Sequence, residues 1–205
     1  LRDAINLGAL LRHQGRLKDA LEHYDRWIPF FPDGLTLRLN GINAALDQRA
    51  LDRGQAWVEQ GLQQWPNDPK LRQLKAKTLA AEGRLEAAQD CLEQLIAGWD
   101  APEAGVWLDL GLIQHQRRAL DDCLAAFDQA AKLEPTDARS HANGITVLKE
   151  LGRTEQALER FRQLPEALQQ VPLVQGALAG VWMELQELEH AEAIYRKLCE
   201  AEPDD

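Results

Sequence analysis

Apolar residues recur along this 205-residue chain at intervals of three and four, in short runs that a break separates and a terminator closes. The first run, from Ile5 to Leu11, breaks at Gly15, resumes from Leu17 to Ile28, and stops at Pro32. Spacing of this kind lays one apolar stripe along a helix, so the pattern predicts two amphipathic helices folded into a hairpin. Gly15, Gly83 and Gly152 mark the break inside three such units, where a glycine can take the left-handed conformation that ends a helix. Pro32, Pro66, Pro135 and Pro203 stop the second helix, because proline lacks the amide hydrogen a continuing helix needs. The Asp or Asn that follows in "PD", "PND" and "PTD" suits the cap of the next helix. Pro29 and Pro165 fall inside the second helices of the first and fifth units and are expected to shorten or kink them.

The hairpins repeat. A shift of 34 residues brings Pro32 onto Pro66, Trp65 onto Trp99, Phe127 onto Phe161 and Ala157 onto Ala191. With one extra residue allowed near Gly98 to Ala104, Gly8 falls on Gly111 and Tyr24 on Phe127 and Tyr195. Six units result, about 1–34, 35–68, 69–103, 104–137, 138–171 and 172–205, read as one domain. Gly8 then acquires a packing reason: the first helix crosses the second closely there, and Gly8, Ala76, Gly111 and Ala179 form a small-residue column. Ala20, Gly54, Ala88, Cys123, Ala157 and Ala191 form the facing small column, with Tyr24, Val58, Leu92, Phe127, Phe161 and Tyr195 filling the space beside it. Units two and five depart, with Ile42 and Ile145 in the small column and Gly41 and Gly144 one place earlier, so contacts there are expected to shift.

This set of columns, Trp107 with Leu110 and Gly111, then Phe127, Ala130 and Pro135, closely resembles the tetratricopeptide repeat. The resemblance implies an all-α, right-handed solenoid of six helix-turn-helix units, a superhelix whose first helices line a concave groove. It implies a module that binds a peptide or protein partner in that groove, with no chemistry of its own and no cofactor.

Composition narrows the partners. Twenty-three Lys and Arg against 33 Asp and Glu leave a net charge of -10, which repels a nucleic-acid backbone. No apolar run is long enough to span a membrane. Three widely spaced cysteines, Cys91, Cys123 and Cys199, read as reduced core thiols and point to a cytoplasmic protein. The five histidines show no i, i+4 pair for a helical zinc site and read as solvated turn residues. No phosphate-cradling glycine loop and no nucleophile motif occurs, so a non-enzyme is expected. Leu1 in place of Met suggests excision from a longer polypeptide.

The groove therefore holds the candidate site. Arg2, Ile5, Asn6, Ala9, Arg12 and His13 should face inward from the first helix. The Asn6 column continues as Asn40, Leu74, Asp109, Asn143 and Ala177, so three of the chain's five asparagines share it. An asparagine amide offers both donor and acceptor, which suits the backbone of an extended peptide. Asn6, Asn40, Asn43, Asp109 and Asn143 are the expected polar contacts, with Arg12, Lys70, Lys77 and Lys149 as inward cations. With Arg2 and Arg139 they set a slightly basic face against Asp47, Asp109, Glu150 and Glu184, favouring acidic or mixed peptides. A clamp for a terminal carboxylate is not expected, because Ile5, Ala9 and Leu74 replace three of its five polar groups and leave Asn40 and Lys70. Asn6-Leu7-Gly8 resembles the asparagine ladder in the repeat region of O-linked N-acetylglucosamine transferases. The resemblance makes the substrate-recruiting part of such an enzyme the alternative, and a self-associating array the third reading. Leu173, Gly176, Ala177, Gly180 and Met183 should form an apolar end of the groove. Ile194, Tyr195, Leu198 and Cys199 should leave apolar surface on the last helix, to be covered by further chain or by a second copy in a homodimer.

Overall fold

A computed structural model describes residues 1–201. They fold into α-helices in pairs: α1 (Arg2–His13) and α2 (Leu17–Trp27), α3 (Leu35–Asp47) and α4 (Leu51–Gln64), α5 (Pro69–Ala81) and α6 (Leu85–Ala97). The second half continues with α7 (Ala104–Gln116), α8 (Leu120–Leu133), α9 (Ala138–Glu150), α10 (Thr154–Arg162), the short α11 (Glu166–Gln169), α12 (Pro172–Glu184) and α13 (Leu188–Ala201). No strand occurs among the described residues. Two compact units result, Leu1–Asp100 and the chain from Ala101 onward. Within each, a second helix packs on its own first helix and on the next: α2 on α1 and α3, α4 on α3 and α5, α8 on α7 and α9.

Every pair turns through a left-handed residue: Gly15, Arg49, Gly83, Arg118, Gly152 and Gln186. The residue after each returns its amide to a carbonyl five positions back, as Arg16 does to Leu11 at 3.0 Å and Arg153 to Leu148 at 2.8 Å. This closes the last turn of the first helix, satisfies carbonyls that helix leaves unpaired, and sets the reversal. Pro29 ends α2 at Trp27 and leaves a 3₁₀ turn over Ile28–Phe30, and Pro165 separates α10 from α11, so both prolines shorten their helices as expected. The caps are only partly as expected. Asp68 accepts the Leu71 amide at 2.8 Å, and Asp137 caps α9. Asp33 does not cap α3, whose preceding residue is Gly34; it accepts from Gln64 instead. Pro203 lies outside the described residues.

The small column works by size exchange. A Cβ on Gly8 would lie 2.4 Å from the Tyr24 ring, and one on Gly111 2.6 Å from Phe127. Where Ile42 and Ile145 fill that slot, the partners are the smaller Val58 and a Phe161 pushed out to half-burial. Contacts shift there as the spacing implied: Gly41 makes room for Ile28 and Trp57, and Gly144 seats the Arg160 guanidinium, which pairs with Asp128. The first unit's core runs from Ala4 through Tyr24, Leu37 and Val58 to Leu71 and Leu74. The second unit's cores centre on Phe127 with Val147 and on Ile145 with Val174 and Val181.

The last helix turns differently from expectation. Ile194 and Leu198 are half-buried, while Leu188, Tyr195 and Cys199 are exposed beside Met183. Cys199 is thus a surface thiol, not a core one; Cys91 is half-buried and Cys123 fully buried. Burial and the negative charge of Glu150 push the Cys123 thiol up to about 12.

Candidate functional site

In the first unit α1 and α3 lie side by side, and between them opens a cleft of about 380 Å³ lined by Ala9, Arg12, His13, Tyr24, Asn40 and Asp47. Two of the expected site residues, Arg12 and Asn40, meet here. The Arg12 guanidinium pairs across the cleft with Asp47, linking the two helices. Tyr24 comes from α2 and enters past Gly8, where the absent side chain leaves its ring room. Its hydroxyl is buried, with the Asn40 side chain as its polar neighbour. Burial raises the Tyr24 pKa against the opposing influence of Arg12 and Asn40, so the phenol stays neutral.

The other candidates of this unit stand apart from the cleft. Asn6 is exposed on α1, and Lys70 and Lys77 are exposed on α5. Asn43 is half-buried and donates to the Leu39 carbonyl of its own helix at 2.9 Å. Leu74 is buried in the core.

The second unit repeats the arrangement 103 residues on, with His115 for Arg12, Glu150 for Asp47 and Asn143 for Asn40. His115 Nε2 lies 3.0 Å from both Glu150 carboxylate oxygens, and Arg118 donates to the same carboxylate at 3.1 Å, so α7 is tied to α9. Asn143 is half-buried two turns before Glu150 on the same face of α9. Phe127 replaces Tyr24 and has no hydroxyl to present. Asp109 on α7 is half-buried and acts electrostatically on Arg139 of α9, which bonds Asp137 at 2.9 Å. Lys149 is half-buried and extends to α12, where a Cβ on Gly180 would stand 3.7 Å from its ammonium.

Three features escaped the sequence. The Tyr24 hydroxyl was read only as bulk, although a tyrosine where Phe127 suffices is itself a signal. His23 and His115 are not turn residues: His23 donates to the Ala4 carbonyl at 2.7 Å and His115 meets Glu150. On the opposite side of the first unit a larger cleft of about 790 Å³ separates α4 from α6 over α5, with Val58, Leu62, Lys75, Thr78, Leu79 and Cys91 among its walls. Lys75 occupies the position at which Leu110 and Leu178 are buried in the second unit, and that exchange was legible. No group of metal-ligating side chains gathers among the described residues, and none of their helices is long and apolar enough to cross a membrane.

Comparison with known proteins agrees with this architecture. Residues 4–34 and 74–138 match the tetratricopeptide repeat family. No curated protein matches the sequence. Among solved structures, PilW, a type IV pilus biogenesis factor, superposes with a TM-score of 0.81 at 12% identity, over 100% of this chain and 94% of that one. Pseudomonas aeruginosa PilF gives 0.73 at 13% identity, over 100% and 92%. YrrB, described as a repeat protein of this family with an unusual peptide-binding site, gives 0.61 at 15% identity, over 88% and 93%. At these identities the likeness concerns the fold alone. Residues 4–34 and 74–138 thus carry the tetratricopeptide repeat, and the stacked hairpins extend its all-α helical-repeat fold, one that supports protein–protein interaction, through the described residues.

Proposed function

We propose that this chain is a non-catalytic interaction module, one array of six repeats, that holds an extended polypeptide on the face formed by its first helices. The observation that carries the reading is a polar arrangement built twice. An asparagine, Asn40 or Asn143, stands on a first helix that a charged pair, Arg12–Asp47 or His115–Glu150, ties to its neighbour. The tie fixes the spacing of adjacent first helices, which stack at roughly 8–10 Å, while an extended strand advances about 3.3 Å per residue. Polar groups on adjacent first helices of one unit then stand about three strand residues apart. Asn6 precedes Asn40 in the first unit, with Lys70 and Lys77 on the following first helix; Asp109 precedes Asn143 in the second, with Lys149 on the same helix as Asn143. Because Arg12 and Arg139 are matched by Asp47 and Asp137, the partner segment is of mixed charge.

The test uses a partner recovered by affinity capture on the intact chain. Replacing Asn40 and Asn143 together by alanine weakens it about tenfold or more, the loss of two hydrogen-bonding groups, with helix content unchanged. Unaltered affinity in that variant ends the reading.

A second reading concerns self-association. The exposed Met183, Leu188, Tyr195 and Cys199 flank a shallow hollow of about 510 Å³ on α12 and α13, and a second copy of the chain is its proposed cover. Light scattering tests it: a dimer that Leu188→Glu with Tyr195→Glu converts to a folded monomer supports the reading, and a wild-type monomer at high concentration refutes it.

A further inference from the structure

The helices α1 and α13 each leave open a face that their counterparts bury. Inside each unit a second helix packs on the first helix that follows it: α2 on α3, α4 on α5, α8 on α9 and α10 on α12. Where a first helix has such a neighbour, the same position of the repeat is Ala44, Thr78, Val147 or Val181, none more than 2% exposed. On α1 that position is Leu10, 53% exposed, and Leu7, one turn back on the same side, is 47% exposed. The second helices show the converse. Tyr24, Val58 and Phe127, on helices that a first helix follows, are buried, whereas Tyr195 at that position of α13 is 41% exposed beside Met183, Leu188 and Cys199.

Repeats bury their faces only against neighbouring repeats, so the open face of α1 is of the kind a second helix covers, and that of α13 of the kind a first helix covers. Contacts inside the first unit define how two such faces meet. Gly54 of α4 faces Thr78 of α5, and Ile28, after α2, fills the gap at Gly41 of α3. The positions of Gly54 and Ile28 are Ala191 and Cys199 on α13, and those of Thr78 and Gly41 are Leu10 and Leu7 on α1. Ala191 and Cys199 line the hollow of about 510 Å³, so small side chains stand where two leucines arrive. The charges match as well. Asp25 of α2 pairs with Arg53 of α4 at 2.6 Å, and Asp121 of α8 with Arg153, just before α10, at 2.9 Å. Between α13 and the α1–α2 hairpin of a second copy, these positions become Arg196 with Asp19 and Glu189 with Arg16, opposite in sign both times. In the single chain Arg16 pairs with Asp19 and Arg196 with Glu192 at exposed positions, where exchange of partners costs little. The remaining cross-repeat pairs, Arg12–Asp47, His115–Glu150 and Asp128–Arg160, map onto Met183 with His13 and Arg196 with His23, which sets no two carboxylates together and no two Lys or Arg side chains. We infer that copies of this chain associate head to tail, the α13 face of one receiving Leu7 and Leu10 of α1 from the next. This rests on the self-association reading and adds which surface of the second copy covers the hollow; a symmetric contact of α13 with α13 would leave Leu7 and Leu10 in water.

The experiment mixes two variants of the full 205-residue chain, each blocked at one face, and reads mass by light scattering. Leu7→Glu with Leu10→Glu blocks α1, and Leu188→Glu with Tyr195→Glu blocks α13; these side chains are exposed, so helix content is unchanged. The wild-type chain gains mass as its concentration rises. Each variant alone is a monomer, and an equimolar mixture forms a 1:1 heterodimer that grows no further, because the two intact faces lie on different chains and both are then used. An α1-blocked chain that still dimerises, or a mixture of folded variants that stays monomeric, overturns the head-to-tail contact and leaves self-association through α13 standing. A wild-type monomer at high concentration overturns both. Where glutamate unfolds either variant, a charge exchange decides instead: Arg196→Asp and Asp19→Arg each weaken wild-type association about threefold and, combined in one chain, recover it, whereas additive weakening overturns the contact.

Discussion

Three of the six left-handed turn residues, Arg49, Arg118 and Gln186, carry a side chain, and the other three are glycine. A side chain in this conformation costs roughly 1–2 kcal/mol, and glycine avoids that at the expense of a floppier unfolded chain. Each of Arg49→Gly and Gln186→Gly is therefore expected to stabilise its hairpin by roughly 0.5 kcal/mol, whereas Gly83→Ala, in open space at φ +80°, costs about 1 kcal/mol. Denaturant midpoints check both signs. A second prediction at this scale concerns Cys123. Its folded pKa, about 12, stands above the ordinary 9.0, so above pH 9 the unfolded chain holds fewer protons than the folded one. Stability then falls as pH rises from about 9 toward 12, and Cys123→Ser flattens that part of the profile. A thiol reagent at pH 8 should label exposed Cys199 in the native chain and spare Cys123.

The helices themselves were legible because each buries one face, and the period of that face is written in the sequence. Their ends followed from backbone chemistry that any neighbourhood must obey, hence the success at Gly15, Pro29 and Pro165. Caps and orientations were less legible. Asp33 and Asp68 occupy similar sequence settings, but a cap needs the carboxylate one residue before the first helical one, and Gly34 intervenes after Asp33. Which edge of α13 faces α12 depends on the packing of two helices together, so Ile194 and Leu198 turned inward while Tyr195 and Cys199 turned out. The close crossings make a sharp forecast. Gly111→Ala puts a methyl 2.6 Å from Phe127 and is expected to cost about 1–3 kcal/mol by overpacking. Gly176→Ala meets nothing within 4 Å and should instead raise helix stability by up to about 1 kcal/mol. Comparing the two in chemical denaturation separates crowding from helix propensity.

At the scale of the molecule, the sequence revealed the repeat but not how charges on neighbouring first helices combine. Arg12 and Asp47 are 35 residues apart, and their pairing depends on the lateral approach of α1 to α3. Read one by one they were a free cation and a free anion on the inner face; the structure joins them into one pair. The cleft between α4 and α6 was hidden for the same reason, since no periodicity reports the gap between two second helices. It is also the natural rival to the first-helix face, being the larger hollow. Hydrogen exchange of the intact chain, alone and saturated with its captured partner, decides between them. The account predicts slowed exchange on the first helices, strongest over α1 and α3 around Arg12 and Asn40 and over α7 and α9 around His115 and Asn143. Slowing confined to α4 and α6 along the Val58, Lys75 and Cys91 cleft, with the first helices unchanged, would contradict it.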